Sequence, residues 1–398
     1  MVRDNIRCAR EWRHPLRPWS ILLLCLWLAA CASPPIAPRA ENIFDDSRFA
    51  APSETVRADD LFVLSDAMTR YLDTEVASQL RSKGARDGLI DALYSRNQLR
   101  LEYDGSKTRT ASQAFEARAG NCLSLVIMTS AFAKRLGLPV HYQSVYTDES
   151  WSRSGGIYFV SGHVNLSLGR RLADLRSATD AAQLLTIDFL PAADLRGQRS
   201  REVSETTVVA MYMNNRAAEA LSRGQLDDAY GWARAAITQE PTFMSSYNTL
   251  GVIYLHHGDP ALAQRVLERV LEREPANTRA LSNLARVFEV EGRAAEARAL
   301  GEKLAQLETT PPFHFFDLGV AAMRSGDYKA ARELFMKEID REAYYHEFHF
   351  WLALAHYGLG DMPQARKQLT LAMETSPTRE NQSLYAAKLD WIKTHRTQ

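Results

Sequence analysis

The first half of the sequence contains a cysteine, Cys122, and two histidines, His141 and His163, that could serve it as a base. A thiol becomes a strong nucleophile when it loses its proton, and a nearby imidazole can accept that proton. These residue types indicate thiol chemistry, in which Cys122 attacks a carbonyl carbon. The alternative is a packed core cysteine without a chemical role.

The residues around Cys122 predict a buried helix that begins at this position. Asn121 is a favourable N-cap, and Gly137 and Pro139 predict that the helix ends near Leu136. Apolar residues cover most of the helix circumference: Leu123, Leu125, Val126, Ile127, Met128, Ala131 and Phe132. A thiol in the first turn lies at the positive end of the helix dipole, which favours the thiolate.

Two predicted strands supply the possible partners of the thiol. In the segment GHVNLSLG, polar residues alternate with apolar ones, so His163 belongs to the polar set. His141 follows the helix in LPVHYQSVY, and we interpret it as structural. The segment LLTIDFLP is an apolar strand interrupted by Asp188, and an unpaired buried carboxylate is unfavourable. We therefore expect Asp188 to pair with an imidazole and to fix its orientation.

Together, TASQAFEARAGNC, the helix, LGLPV, His163 and Asp188 resemble the transglutaminase-like cysteine peptidase superfamily over residues 61–195. The resemblance implies an α+β, papain-like fold with Cys122 as nucleophile, His163 as general base and acid, and Asp188 as orienting carboxylate. The sequence lacks the aromatic residue often found two positions after the histidine. This departure leaves the substrate class open, and it keeps Asp174 and Asp194 as alternatives to Asp188.

The resemblance implies attack by the Cys122 thiolate on an amide carbonyl to form a thioester. Water resolves the thioester in a peptidase or amidase, whereas an amine resolves it in a transferase. The main-chain N–H of Cys122 would hold part of the oxyanion, and Gln113 and Asn121 are candidate side-chain donors. No cofactor is implied.

The N-terminus predicts an export signal over residues 1–30. Five arginines precede the short apolar run WSILLLCLWLAA, which is followed by Cys31. The sequence LAAC resembles the bacterial lipobox, which implies cleavage before Cys31 and lipid attachment to it. Because Ala32 is not the aspartate associated with inner-membrane retention, we expect an outer-membrane lipoprotein that faces the periplasm. Residues 31–58 begin with the Pro/Ala-rich ASPPIAPRA and are predicted to be a tether.

Composition excludes several function classes. Without the five arginines, Asp4 and Glu11 of the signal, 43 basic and 46 acidic residues remain, which argues against nucleic acid as a partner. The four cysteines offer neither a disulfide framework nor a thiolate metal cluster once Cys8 and Cys25 leave with the signal. His256–His257 and the pair His346 and His349 lack acidic or cysteine ligands at a recognisable spacing, so no metal site is predicted.

The C-terminal half has a period of 34 residues. Glycines recur at this spacing, each followed five residues later by an alanine: Gly224, Gly258, Gly292, Gly326 and Gly360, with Ala229, Ala263, Ala297, Ala331 and Ala365. This pattern resembles the tetratricopeptide repeat, a helix pair that stacks on its neighbours into an all-α solenoid. We predict five repeats over residues 205–379 and a C-terminal cap helix over 380–398.

The concave face of such a solenoid usually binds a peptide or a protein segment. Polar residues on or near the first helices could contribute: Asn214, Asn248, Asn283, His314, Tyr345 and His349. Two functions follow from the sequence. One is a lipid-anchored thiol hydrolase, residues 59–204, whose repeats recruit a protein substrate or partner. The other is a non-catalytic envelope scaffold in which both parts only bind.

Overall fold

The computed structural model describes residues 43–54, 57–94, 99, 101–105, 107–154, 157–171, 173, 183–189, 199–308, 310, 312–343, 345–376 and 379–394. All of them belong to one unit, Ala40–Gln398. The predicted signal and Cys31, the predicted site of lipid attachment, lie outside the described residues. No described helix is both long and apolar enough to cross a bilayer.

Short helices open the N-terminal part. They are α1 (Asp66–Arg70), a π-helical turn (Tyr71–Glu75), α2 (Ala77–Lys83), α3 (Ala85–Tyr94), α4 (Ala111–Ala117) and α5 (Cys122–Arg135). A two-residue parallel pair, β1 (Glu102–Tyr103) and β2 (Ala119–Gly120), brackets α4. Ser65 caps α1 and Thr110 caps α4, so hydroxyl acceptors satisfy main-chain donors at both helix starts.

A four-stranded antiparallel sheet completes this part. Its strands are β3 (Val140–Ser154), β4 (Ile157–Leu168), β5 (Leu185–Ile187) and β6 (Arg199–Val203), in the order β5-β4-β3-β6. Apolar residues of the sheet belong to the same buried core as α5, among them Tyr142, Leu166 and Ile187. The N-terminal part therefore combines helices with a small sheet, and its assignment to the transglutaminase-like fold stays a prediction.

The C-terminal half is an all-α solenoid of helix pairs. Its described residues form five helix pairs and a last helix. They are α6 (Glu205–Ser222), α7 (Leu226–Gln239), α8 (Met244–His257), α9 (Pro260–Arg273), α10 (Thr278–Val290), α11 (Ala294–Leu307), α12 (His314–Arg324), α13 (Tyr328–Arg341), α14 (His346–Gly358), α15 (Met362–Thr375) and α16 (Arg379–Thr394). The first of these helices begins at Glu205, and the division of the chain into domains stays a prediction.

The 34-residue period follows from the geometry of the turns and the packing between paired helices. The five periodic glycines all have positive φ, from 73° to 92°, a conformation that glycine adopts without a Cβ penalty. The matching alanines are buried, four of them with 0% exposure and Ala297 with 9%. Small side chains at these positions let the two helices of each pair approach closely.

Part of the predicted tether packs on the repeats. Residues 43–54 precede the N-terminal part, yet Ile43 lies in the main hydrophobic core together with Tyr254 of α8. Tyr254 donates its hydroxyl proton to the carbonyl oxygen of Ile43 over 2.8 Å. The Pro/Ala composition that predicted a tether belongs to the residues before this segment.

Candidate functional site

The helix that carries the candidate nucleophile starts at Cys122, as the sequence predicted. The Asn121 side-chain oxygen accepts the Ser124 N–H at 2.9 Å and the Ser124 hydroxyl at 2.7 Å. This N-cap satisfies one of the helix's unpaired main-chain donors. Cys122 is half-buried at the first position of α5, while the helix packs against β4.

A loop that the sequence analysis did not identify supports this helix start. The Asn121 amide donates to the hydroxyl of Thr108 over 2.9 Å, and the main-chain N–H of Arg109 donates to the Ser124 hydroxyl over 2.8 Å. Thr108 is 1% exposed, and its own main-chain N–H donates to Glu219 over 2.6 Å. The first repeat helix, α6, thus contacts the loop that holds the N-cap.

His163 and Asp188 lie in direct contact. Nε2 of His163 is 2.8 Å from both carboxylate oxygens of Asp188, and the two side chains are 3% and 9% exposed. The β4–β5 register pairs Leu166 with Ile187, so Asp188 comes level with Asn165, on the face of the sheet that also carries His163. The sequence predicted that Asp188 pairs with an imidazole, and the structure contains this pair.

The environment of this pair orients the imidazole. Asn165 donates its amide to the second carboxylate oxygen over 2.9 Å, so Asp188 is held from two sides. Because a carboxylate accepts hydrogen bonds, Nε2 carries the proton, and Nδ1 presents its lone pair in the neutral ring. Nδ1 is buried and has no hydrogen-bond partner among the described residues. That nitrogen is the atom at which this histidine can accept a proton.

The other candidates have different surroundings. His141 lies on β3 with its Nδ1 3.0 Å from Glu202 of β6, and the two side chains are 40% and 70% exposed. Asn121 uses both of its side-chain groups in the cap contacts, and the Gln113 oxygen accepts the Thr110 N–H in the capping box of α4. Asp174 and Asp194 lie outside the described residues.

A polar cavity of about 410 Å³ lies between the N-terminal part and the first repeat. Lys107 and Gln113 line it on one side, and Tyr212, Arg216 and Trp232 line it on the other. Arg216 is buried at 6% exposure and bonds to Glu219 and Glu54 over 2.9 and 2.6 Å. The cavity is therefore a polar space shared by both parts of the molecule.

Three asparagines recur on the first helices of the repeats. Asn283 of α10 donates to Asn248 of α8 over 3.0 Å, and the buried side-chain oxygen of Asn214 on α6 has no hydrogen-bond partner among the described residues. His349 instead has a packing role: it is buried, with Nδ1 2.8 Å from Gln368 and Nε2 2.8 Å from the Ala343 carbonyl. The polar residues expected on one face therefore have two kinds of surroundings. Asn214, Asn248 and Asn283 recur on successive first helices, and we call them the asparagine row. His349 instead makes contacts inside its own repeat.

Two further histidines contact neighbouring side chains. His257 contacts Asp259 at 2.6 Å, and His346 contacts the Tyr385 hydroxyl at 2.7 Å. Within the part of the chain that the structure describes, no group of three or more histidine, cysteine, aspartate or glutamate residues could hold a metal ion.

Comparison with known proteins identifies the repeats. Residues 248–311 and 316–379 each match the family model described as tetratricopeptide repeat. The C-terminal half therefore carries tetratricopeptide repeats, units that are suited to protein–protein interaction. The transglutaminase-like assignment of residues 59–204 lies outside this match and stays a prediction.

Several solved structures are similar to this chain. A thermophilic tetratricopeptide protein of Thermus thermophilus is 16% identical, with 45% of this chain and 98% of that one covered and a TM-score of 0.30. PilF of Pseudomonas aeruginosa is 19% identical, with coverage of 48% and 87% and a TM-score of 0.29. YrrB, described as a protein with an unusual peptide-binding site, is 17% identical, with coverage of 45% and 92% and a TM-score of 0.24. None of the curated proteins compared with this chain matches it.

Proposed function

We propose that residues 59–204 form a transglutaminase-like thiol hydrolase, a cysteine peptidase or amidase, that acts through Cys122, His163 and Asp188. The observation that carries this proposal is the 2.8 Å contact of His163 Nε2 with Asp188, which leaves the buried Nδ1 as the basic atom. The position of Cys122 at the first residue of a helix that packs on β4 supports it. Pairing of Cys122 with His163 is part of the proposal.

In the proposed reaction, Nδ1 of His163 takes the thiol proton of Cys122, and the sulfur attacks an amide carbonyl carbon. The C–N bond breaks, the leaving amine receives the proton from Nδ1, and a thioester remains. Water then attacks the thioester, loses a proton to Nδ1 and releases the acid with the regenerated thiol. An amine in place of water would give acyl transfer by the same steps.

The repeats would supply selectivity by binding a protein or peptide, either the substrate itself or a partner that delivers it. The tetratricopeptide match and the asparagine row on α6, α8 and α10 support this role. The amide groups of asparagine can both donate to and accept from a peptide main chain.

We further propose that the chain is a lipoprotein of the bacterial envelope, attached through Cys31 to the outer membrane and facing the periplasm. The support is the signal-like sequence that ends in LAAC. The variant Cys31→Ser should release the protein from the membrane fraction. Retention of this variant in membranes would contradict the anchor.

The catalytic proposal is tested by the rate at which iodoacetamide alkylates Cys122 near pH 7, with the adduct mapped by mass spectrometry. We expect the native wild type to react faster than a model thiol, and His163→Ala to react at least about tenfold more slowly than the wild type. The variant His141→Ala is the matched control, because His141 lies on the neighbouring strand with an exposed partner. It should keep the wild-type rate.

A native wild type in which Cys122 reacts no faster than a model thiol, or only after denaturation, would refute the catalytic proposal. In that case the non-catalytic scaffold is the better description, with the N-terminal part and the repeats serving as binding surfaces. If instead Cys122 reacts as proposed, peptides that carry an electrophile would identify the substrate class through covalent capture on Cys122.

A further inference from the structure

Residues 43–54, IFDDSRFAAPSE, lie along the first two repeats. We call these residues the docked segment, and we call the surface that they cover on α6, α7, α8 and the turn after α8 the segment site. Every hydrogen bond described for the docked segment either stays within it or runs to this surface. The segment is therefore held in the way that a bound peptide is held, although it belongs to the same chain.

An aromatic residue anchors the segment. The ring of Phe49 stacks on Tyr230 of α7, with centroids 4.0 Å apart and planes 3° from parallel. It also meets His257 at 4.5 Å and Tyr254 at 5.9 Å. Three rings around one side chain form a recognisable aromatic pocket, and such ring pairs contribute beyond the area that they bury.

Side chains of the repeats hold the main chain of the segment. The N–H of Asp45 donates to the Tyr254 hydroxyl over 3.0 Å, and that hydroxyl donates to the carbonyl of Ile43 over 2.8 Å. Farther along, the N–H of Ala50 donates to Asp227 over 2.9 Å, and the N–H of Ser53 donates to Asp228 over 2.6 Å. Contacts of this kind bind a peptide through main-chain groups that every peptide has, on both sides of the 3₁₀ turn at Asp46–Arg48.

Acidic and basic side chains of the segment add selectivity. Asp46 accepts the Tyr230 hydroxyl at 2.7 Å and pairs with Arg234 at 3.0 Å, while Arg48 pairs with Asp259. These ion pairs are partly exposed and add little affinity, but each has a defined position relative to Phe49. The segment site therefore matches an acidic residue three positions before an aromatic one.

A glycine lets the side chain of Pro52 pack close to α7. At Gly231 on α7, an added Cβ would lie 3.1 Å from the Cβ and Cγ of Pro52. Such a contact is closer than ordinary van der Waals packing, so a larger side chain would push the segment away. Because position 231 has no side chain, Pro52 of the docked segment can pack directly on α7.

We propose that the segment site is a peptide-binding site for segments with an acidic residue three positions before an aromatic one and a 3₁₀ turn between them, and that residues 43–54 are its intramolecular ligand. The occupant in the resting protein is the chain's own docked segment. A partner with the same chemistry can bind only by displacing it.

The experiment uses a fluorescein-labelled peptide with the sequence of residues 43–54 and two forms of the mature protein. The first is the wild type, and the second is the double variant Asp46→Ala/Phe49→Ala, which loosens the docked segment but leaves the segment site intact. A tethered segment has an effective concentration on the order of millimolar, so the filled site competes strongly. By fluorescence anisotropy, we expect the double variant to bind the peptide at least roughly tenfold more tightly than the wild type.

Two controls make the result specific to the segment site. A peptide with Phe49→Ala should bind the double variant at least about tenfold more weakly, because it lacks the aromatic anchor. Adding Gly231→Leu to the double variant should likewise weaken binding of the unchanged peptide, and circular dichroism should show that its helices are retained.

Three outcomes would overturn the proposal. Equal binding by wild type and double variant would mean that the peptide binds elsewhere. Absence of binding by a double variant with normal helix content would mean that the segment needs its covalent link to bind. A wild-type dimer in sedimentation that becomes monomeric in the double variant would place the segment on a second copy of the chain.

Discussion

Among single residues, His163 has the clearest chemical assignment. Its two ring nitrogens have different surroundings, since Nε2 faces the Asp188 carboxylate while Nδ1 is buried without a described partner. The tautomer is therefore set by Asp188, and the basic nitrogen points away from that carboxylate. If Cys122 is the nucleophile, Asp188 contributes by positioning the ring and does not itself take the thiol proton.

We expect Asp188→Asn to slow alkylation of Cys122 by at least about tenfold, because an amide can stabilise the wrong tautomer of His163. The measurement is the iodoacetamide rate across pH 6 to 9, with helix content monitored by circular dichroism. Thr186→Val is a suitable control, because the one side-chain hydrogen bond described for Thr186 is with the hydroxyl of Ser167, at 2.8 Å. An unchanged rate in Asp188→Asn would remove Asp188 from the proposed site.

Much of this residue-scale arrangement could be predicted from the sequence. A single carboxylate in LLTIDFLP required a partner, and the alternation in GHVNLSL placed His163 with the polar set. The role of Asn165 as a second donor to Asp188 could not be predicted, because it depends on the β4–β5 register. The alternation of polar and apolar residues along a strand predicts which face of the sheet a side chain lies on. The register between two strands decides which side chain of the neighbouring strand it contacts.

At the scale of helices, we expect the contact of α14 with α16 to be sensitive to acid. His346 begins α14, and its Nδ1 lies 2.7 Å from the hydroxyl of Tyr385 on α16. Burial, with a smaller contribution from His349, lowers the pKa of His346 to about 4. The ring is neutral in the folded protein at neutral pH, with its Nδ1 within hydrogen-bond distance of the Tyr385 hydroxyl.

The folded pKa of His346 lies below its ordinary value of 6.5, so the unfolded chain takes up the proton first as pH falls. The contribution of this group to stability is complete above about pH 6.5 and decreases down to about pH 4. We expect the thermal midpoint of the wild type to fall between pH 7 and pH 5, and we expect His346→Gln to reduce that fall.

The matched control for this prediction is His256→Gln, since His256 is exposed on α8. Differential scanning calorimetry at the two pH values measures the change. Burial also lowers the pKa of His356, so some acid sensitivity should persist in His346→Gln. A variant as acid-sensitive as the wild type would show that His346 does not titrate in this way.

Across the whole molecule, a series of contacts joins three separate stretches of sequence. Glu54 of the docked segment bonds to Arg216 on α6, and Arg216 bonds to Glu219. Glu219 accepts the N–H of Thr108, whose hydroxyl accepts the Asn121 amide next to Cys122. The start of the solenoid thus supports the helix that carries the candidate nucleophile.

We expect Glu219→Ala to reduce the free energy of unfolding by about 1–3 kcal/mol, because it leaves the buried N–H of Thr108 without an acceptor and the buried guanidinium of Arg216 with Glu54 alone. Urea unfolding followed by tryptophan fluorescence measures this loss. Glu302→Ala, at an exposed position on α11, should change stability by less than about 0.5 kcal/mol. Equal stability of the two variants would show that the Glu219 contacts contribute little.

The sequence was informative about the repeats but not about their connection to the rest of the chain. A 34-residue period is a local signal, because each turn glycine and buried alanine acts within its own helix pair. The docked segment has its partners 162 to 211 residues away, as in the pairs of Glu54 with Arg216 and Arg48 with Asp259. No periodicity or composition relates such distant positions.

The separation of the docked segment from its site also determines when the segment can bind during synthesis. Asp45 and Tyr254 are 209 residues apart, so the segment leaves the ribosome long before α8 exists. At roughly 5–20 residues per second, the interval is on the order of 10–40 s. During this time Phe49 and Ile43 are exposed, and closing so long a loop comes late in folding. The newly made chain therefore passes through a period in which a chaperone could bind these apolar residues before the repeats do.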